Sequence, residues 1–159
     1  MAVYSAPFSA IAVTAAQDLW EIVAPSDSLV AIREIRFGQY TDFGDAAAEI
    51  LGVTMTRGHT TSGSGGSTIT PVNFRAETGA ASATTTVERN NTTQAATSGT
   101  VIFADAWNIQ APYLLIPAED DQRFIIKASQ RFVISITAPA DSITMNGTVI
   151  FEELGQFPA

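Results

Sequence analysis

Several stretches of this chain alternate apolar and polar residues with a period of two, and that period belongs to β-strands. Leu51, Val53 and Met55 alternate against Gly52, Thr54 and Thr56. Phe132, Ile134 and Ile136 line one side of a second run, and Ile143, Met145, Gly147, Val149 and Phe151 line a third. Successive side chains of a strand point to opposite faces, so each run offers one apolar face for burial. Weaker versions of the pattern cover residues 4–14, 18–23, 101–109, 113–116 and 123–128, with Pro112 and Pro117 between the later ones. Val30, Ile32, Ile35 and Phe37 form another strand, in which the step from Ile32 to Ile35 breaks the period and predicts a bulge. Pro139, in the connection 138–142, predicts a hairpin between the last two runs. The competing type I′ turn at Asn146-Gly147 would leave arms of unequal length. About eight to ten strands in one domain over residues 1–159 predict an all-β sandwich, jelly-roll-like, with at most one short helix. That helix or helical turn would lie at 42–51, where Asp42 and Asp45 offer N-caps to an Ala run.

The remaining segments are poor in core-forming residues. Residues 58–67 (GHTTSGSGGS) read as a loop. Residues 76–100 are rich in Thr, Ala, Ser and Asn, and Val87 is nearly their only large apolar side chain. Extended structure is expected at 84–93, at a sheet edge or beneath a partner.

Charge narrows the function classes. Sixteen acids and eight bases give a net charge of −8, and Lys127 is the only lysine. No basic stripe exists, so neither nucleic acid nor an anionic membrane is an expected partner. The chain has no cysteine, which removes disulfide and thiolate chemistry. The apolar N-terminal stretch carries no positive residue before Arg33 and is interrupted by Ser5 and Pro7. A signal peptide or membrane span is therefore not expected, and synthesis in the cytoplasm without export is.

Candidate chemistry is sparse. His59 is the only histidine. A zinc site would need carboxylates for its other ligands, and the plain expectation is an exposed loop residue. Ser62-Gly63-Ser64-Gly65-Gly66 has neither the glycine before the serine that a nucleophile elbow requires nor the Gly-Lys-Ser/Thr of a phosphate loop. Glu119, Asp120 and Asp121 supply hard oxygens suited to a cation but not the spacing of an EF-hand; water is the simpler partner. Asp42 and Asp45 are a weaker version. A carboxylate pair for hydrolysis would need a cleft with a perturbed pKa. Core or half-buried placement is the plain expectation for Trp20 and Trp107, and with Tyr113 they are otherwise the candidates for a sugar-stacking platform or an interface anchor. Three Asn-X-Ser/Thr matches, at Asn90, Asn91 and Asn146, carry little meaning in a chain without an export signal. No catalytic residue, metal ligand or cofactor is assigned, and no enzyme activity is expected.

The opening residues 8–22 (FSAIAVTAAQDLWEI), residues 57–66 (RGHTTSGSGG), residues 142–148 (SITMNGT) and Glu152-Glu153-Leu154-Gly155 resemble small virion proteins of tailed bacteriophages. The likeness spans most of the chain. It implies a structural particle component, preferably a head decoration (cement) protein. Such a protein would sit on the capsid surface, bind the major capsid protein and assemble as a homotrimer. A tail or fibre component and a carbohydrate-binding adhesion module are the alternatives. Candidate assembly contacts are Tyr4, Phe8, Trp20, Trp107, Tyr113 and Phe157, with the segment 76–100 and both termini.

Overall fold

The computed structural model describes residues 2–40, 48–75 and 83–155. Twelve strands lie within them: β1 (Ala2–Val13), β2 (Gln17–Val23), β3 (Val30–Gln39), β4 (Ile50–Arg57), β5 (Ser67–Ile69), β6 (Val72–Asn73), β7 (Thr86–Asn91), β8 (Thr100–Asn108), β9 (Tyr113–Leu115), β10 (Phe124–Ile126), β11 (Arg131–Ile136) and β12 (Ile143–Glu153). The count exceeds the expected eight to ten because β5, β6, β9 and β10 hold only two or three residues each, too few for a visible period. The one helical element among the described residues is a 3-10 turn at Asp120–Gln122. Of the expected helix at 42–51, residues 42–47 lie outside the described residues. Ile50 and Leu51 belong to β4, where Leu51, Val53 and Met55 bury their common face.

The strands form an all-β sandwich of two six-stranded sheets. Sheet A runs β10-β3-β12-β1-β6, with β9 also on β3, and sheet B runs β5-β7-β2-β11-β4-β8. Every pairing is antiparallel. The order is that of a jelly roll. β1 pairs with β12, β2 with β11, β3 with β9 and β10, and β4 with β8, and these nested pairs alternate between the sheets. Residues 58–99, between β4 and β8, add β6 to the edge of sheet A and β5 and β7 to sheet B.

This topology corrects one expectation. β11 and β12 are not a hairpin, because β11 lies in sheet B and β12 in sheet A. The Pro139 connection is a crossing between sheets. Alternation sets which face of each strand is buried, but it does not choose the strand's neighbour. Asn146-Gly147 does continue as strand, with Asn146 Oδ1 accepting from Ala10 N (2.7 Å) and Ser9 Oγ (3.1 Å). Those bonds stabilise a bulge in β1, where Ala10 has φ 53°. The bulge expected in β3 is present: Glu34 faces Ile150 and Ile32 faces Phe151, so Arg33 is the extra residue.

The inner faces meet in one core that includes Leu19, Trp20, Ile22, Ile35, Met55, Ile134, Val149 and Phe151. Its centre is aromatic. Trp20 packs on Phe8 (4.8 Å between ring centres) and Phe37 (6.4 Å), and Phe37 packs on Trp107 (5.0 Å) and Tyr113 (4.5 Å). Each indole N–H finds a carbonyl, that of Trp20 at Ala6 O (3.1 Å) and that of Trp107 at Ala111 O (2.6 Å). A buried donor left unpaired would cost about 1–3 kcal/mol. Gly147 is required by close approach: a Cβ there would lie 2.6 Å from Trp20 Cη2 and 2.8 Å from Phe8 Cζ. Gly147→Ala is therefore expected to destabilise the fold by about 1–3 kcal/mol through overpacking. Denaturant unfolding followed by tryptophan fluorescence measures this, and an unchanged midpoint would refute the packing account.

Candidate interaction face and the roofed carboxylates

The outer faces of the two sheets differ. On sheet B, β2 is buried on both sides, and its outward side chains include two carboxylates, Asp18 (1% exposed) and Glu21 (2%). Two loops roof them, 58–66 and 92–99, joined by bridges Thr61–Ala96 and Ser64–Thr93. Glu21 Oε1 accepts from Ser62 Oγ (2.7 Å) and from Arg131 Nε, and Oε2 accepts from Gly63 N (2.9 Å) and Asn91 Nδ2 (3.2 Å). Asp18 accepts from Ser135 Oγ and Ala95 N, both at 2.7 Å. All four carboxylate oxygens are thus occupied by the chain's own donors. The arrangement holds the roof to the sheet and leaves neither Asp18 nor Glu21 an oxygen without a donor.

One expectation about the roof changes. His59 is not a free loop residue. Its Nε2 lies 2.8 Å from Thr56 Oγ1, its carbonyl accepts from Arg131 Nη1 (3.0 Å), and Gly99 lies against the ring. The glycines of 58–67 divide between two tasks: Gly58 and Gly65 take positive φ, at 84° and 85°, and Gly63 and Gly66 allow close approach to the sheet. A Cβ on Gly63 would meet Thr93 O at 2.7 Å, and one on Gly66 would meet Arg89 O at 2.2 Å. Asp18, Glu21, Asn91 and Arg131 went unrecognised in the sequence. The available signal was the placing of polar Asp18 and Glu21 beside Leu19, Trp20 and Ile22 in one short strand.

The aromatic candidates for assembly are core residues. Tyr4, Phe8, Trp20, Trp107 and Tyr113 are each at most 6% exposed, so none forms a surface anchor or a sugar platform; Phe157 lies outside the described residues. These side chains cluster because they point inward from facing strands of the two sheets. Burial, together with the nearby Asp105 carboxylate, pushes the Tyr113 hydroxyl up to about 12, and it donates to Asp105 Oδ2 at 3.3 Å. Asp120 pairs with Arg123 in the 3-10 turn. Among the described residues, no three His, Asp or Glu side chains are grouped to hold a metal.

Among the described residues, sheet A carries no such roof. Its outer side holds a groove of about 520 Å³ lined by apolar Val3, Phe74, Ile116, Pro117 and Ile150 and by charged Arg33, Glu34, Arg75 and Arg123. Phe74 is 60% and Ile116 55% exposed. Val72 and Leu114 extend the apolar surface, outward-facing on β6 and β9, where they pair with Ser5 and Arg36. Four of the seven arginines, Arg33, Arg36, Arg75 and Arg123, lie here although the chain is strongly acidic. Glu152, only 3% exposed, organises the centre, 3.0 Å from Arg33 Nη1 and 3.8 Å from Arg123 Nη1. Arg36 pairs with Glu34. Exposed aromatic and aliphatic side chains with paired arginines are the composition of a protein-docking surface.

No family model matches the chain, and no curated protein matches it. Among solved structures it is similar to the VP2 protein of infectious bursal disease virus in derived particles, at 16% identity and a TM-score of 0.15. That alignment covers 98% of this chain and 40% of the VP2 chain. A structure of the Gt strain of the same virus gives 16% identity, coverage of 98% and 41%, and the same score. The chain thus spans about two-fifths of those proteins, and at this score the likeness carries no argument.

Two measurements test the roof. Burial raises the Asp18 pKa against the opposing hydrogen bonds from Ser135 and Ala95, with a further rise from Glu21. The folded state then holds that proton more tightly than the unfolded chain. The stability Asp18 contributes is complete below its unfolded value and is lost as pH rises through the raised folded value. The unfolding free energy of wild type relative to Asp18→Asn is therefore expected to fall as pH rises across the carboxylate range. A flat difference would refute this. Glu21→Gln leaves Arg131 without its counter-charge and is expected to cost about 3 kcal/mol. Hydrogen exchange at Gly63 should accelerate with it, and unchanged protection there would show that Glu21 does not hold the loop.

Proposed function

We propose that this chain is a structural protein of a tailed-phage virion, a capsid decoration protein that docks on the assembled shell through the outer face of sheet A. The observation that carries the reading is that face, uncovered among the described residues, which presents Phe74, Ile116 and Leu114 beside paired arginines. The resemblance of residues 8–22, 57–66 and 142–148 supplies the particle class. The jelly roll agrees, being an architecture of viral capsid domains, although it also serves lectins and cupins and does not specify function. The partners on this reading are the major capsid protein and further copies of the chain, and the location is the capsid surface. A carbohydrate-binding module loses its support, because Trp20, Trp107 and Tyr113 are spent in the core. No observation favours a tail or fibre position over the head.

The purified chain is expected to sediment with shells that lack it and not with isolated tails. Phe74→Asp combined with Ile116→Asp is expected to weaken shell binding at least about tenfold. Both side chains are exposed, so the melting temperature should hardly move. Sedimentation with tails alone, or shell binding that the double substitution leaves intact, would overturn the proposal.

A further inference from the structure

Among the described residues, one long sheet edge is left open. Sheet A ends in β6 on one side and in β9 and β10 on the other, and sheet B ends in β5 and β8. β5, β6, β9 and β10 have two or three residues each, and such short edges give a neighbouring strand little to pair with. β8 has nine residues, with no proline and no lysine, and it is mostly exposed. Its single charge, Asp105, is engaged by the Tyr113 hydroxyl.

The free backbone groups of β8 can be assigned. Ile109 N donates to Glu49 O (3.2 Å), which continues the ladder to β4. In an antiparallel ladder the bonded residues alternate, so Phe103, Asp105 and Trp107 direct their backbone groups to β4, and Ala104 and Ala106 direct theirs away. Ala106 N–H is satisfied by Asp105 Oδ1 at 2.7 Å. The Ala104 N–H and C=O point outward at the middle of the strand. Small residues surround them, Ala104 and Ala106 paired with Thr54 and Gly52, and exposed Val101 lies beyond.

We infer that β8 pairs antiparallel with β8 of a second copy, about a two-fold axis at Ala104, joining the two copies' B sheets. Among its described residues, each chain has one long edge. Self-pairing consumes it and stops, giving a closed dimer rather than a filament. The charges permit it despite the net −8 of each chain. With Ala104 opposite Ala104, each Asp105 faces Phe103 of the second copy, so no like charges stand directly opposed. The inference does not depend on the decoration reading, and it sets a two-fold pair where the resemblance implies a trimer.

The absence of cysteine makes the test clean. Opposed residues of a hydrogen-bonded antiparallel pair have Cα atoms about 5.5 Å apart, within the range a disulfide spans. Ala104→Cys is expected to form a disulfide dimer under mild oxidation at least about tenfold faster than Thr68→Cys on β5. Native mass over a dilution series should give a dimer. Ala104→Pro removes an outward N–H without touching the β4 ladder, and should raise the dimer dissociation constant at least about tenfold. If that variant misfolds, the cysteine pair still decides. A monomer at every concentration, equal crosslinking rates, or a trimer indifferent to Ala104→Pro would overturn the inference.

Discussion

The burial of Trp20 ties the two sheets together. The indole comes from β2 of sheet B, but its contacts lie largely in sheet A, on Phe8 of β1 and Phe37 of β3 and over Gly147 of β12. Its N–H reaches Ala6 O, so the ring is oriented as well as buried. A two-layer sandwich is stable only while both inner faces stay covered, and one aromatic that spans the layers couples them more firmly than aliphatic contacts of equal area. The bulges adjust the strands around this contact. One in β1 shifts the register after Phe8, and another falls on β2 next to Trp20, between the pairs Ile134–Trp20 and Ser135–Asp18.

Strand faces were legible in the sequence because a period of two leaves a direct trace in residue type. The alternating residues of β4, β11 and β12 are all buried, and the break between Ile32 and Ile35 marks the bulge at Arg33. Strand partners were not legible. The crossing of β11 to β12 between sheets leaves the same alternation as a hairpin, and only pairing across more than a hundred residues, as in β1 with β12, distinguishes them. The polar roof was hidden for another reason. Asp18, Glu21 and Arg131 are ordinary surface types, and their burial follows from a Gly/Ser/Thr loop folding onto the sheet, which composition assigns to solvent. The exposed groove was hidden too, since nothing in residue type separates an exposed Phe74 or Ile116 from a core residue.

The same long insertion between β4 and β8 gives the molecule its two unlike sides. Its loops cover sheet B and bring donors to Asp18 and Glu21. Its β6 extends sheet A and places Phe74 beside the groove, with Phe74 N held by Val3 O at 2.8 Å. A buried carboxylate is tolerable only with its oxygens satisfied, so the roof and the acids require each other. Removing the loops would expose outer-face residues of sheet B that are now fully buried, Val133 among them.

That asymmetry bears on how the surface is used. Among the described residues, sheet A's outer face has no equivalent cover, yet its side chains are arranged rather than loose. Glu152 is buried between Arg33 and Arg123, so two guanidinium groups are already oriented beside the exposed apolar residues. Ordering long side chains before contact lowers the entropy lost on docking, and pairing the charges lowers the desolvation left to complete. A face meant only for water has no need of either. With Glu34 and Glu152 set against Arg33, Arg36 and Arg123, charge on this face is close to balanced, although the chain as a whole is strongly acidic. On the readings proposed above, the groove of sheet A and the edge at β8 are the places where charge opposes association least.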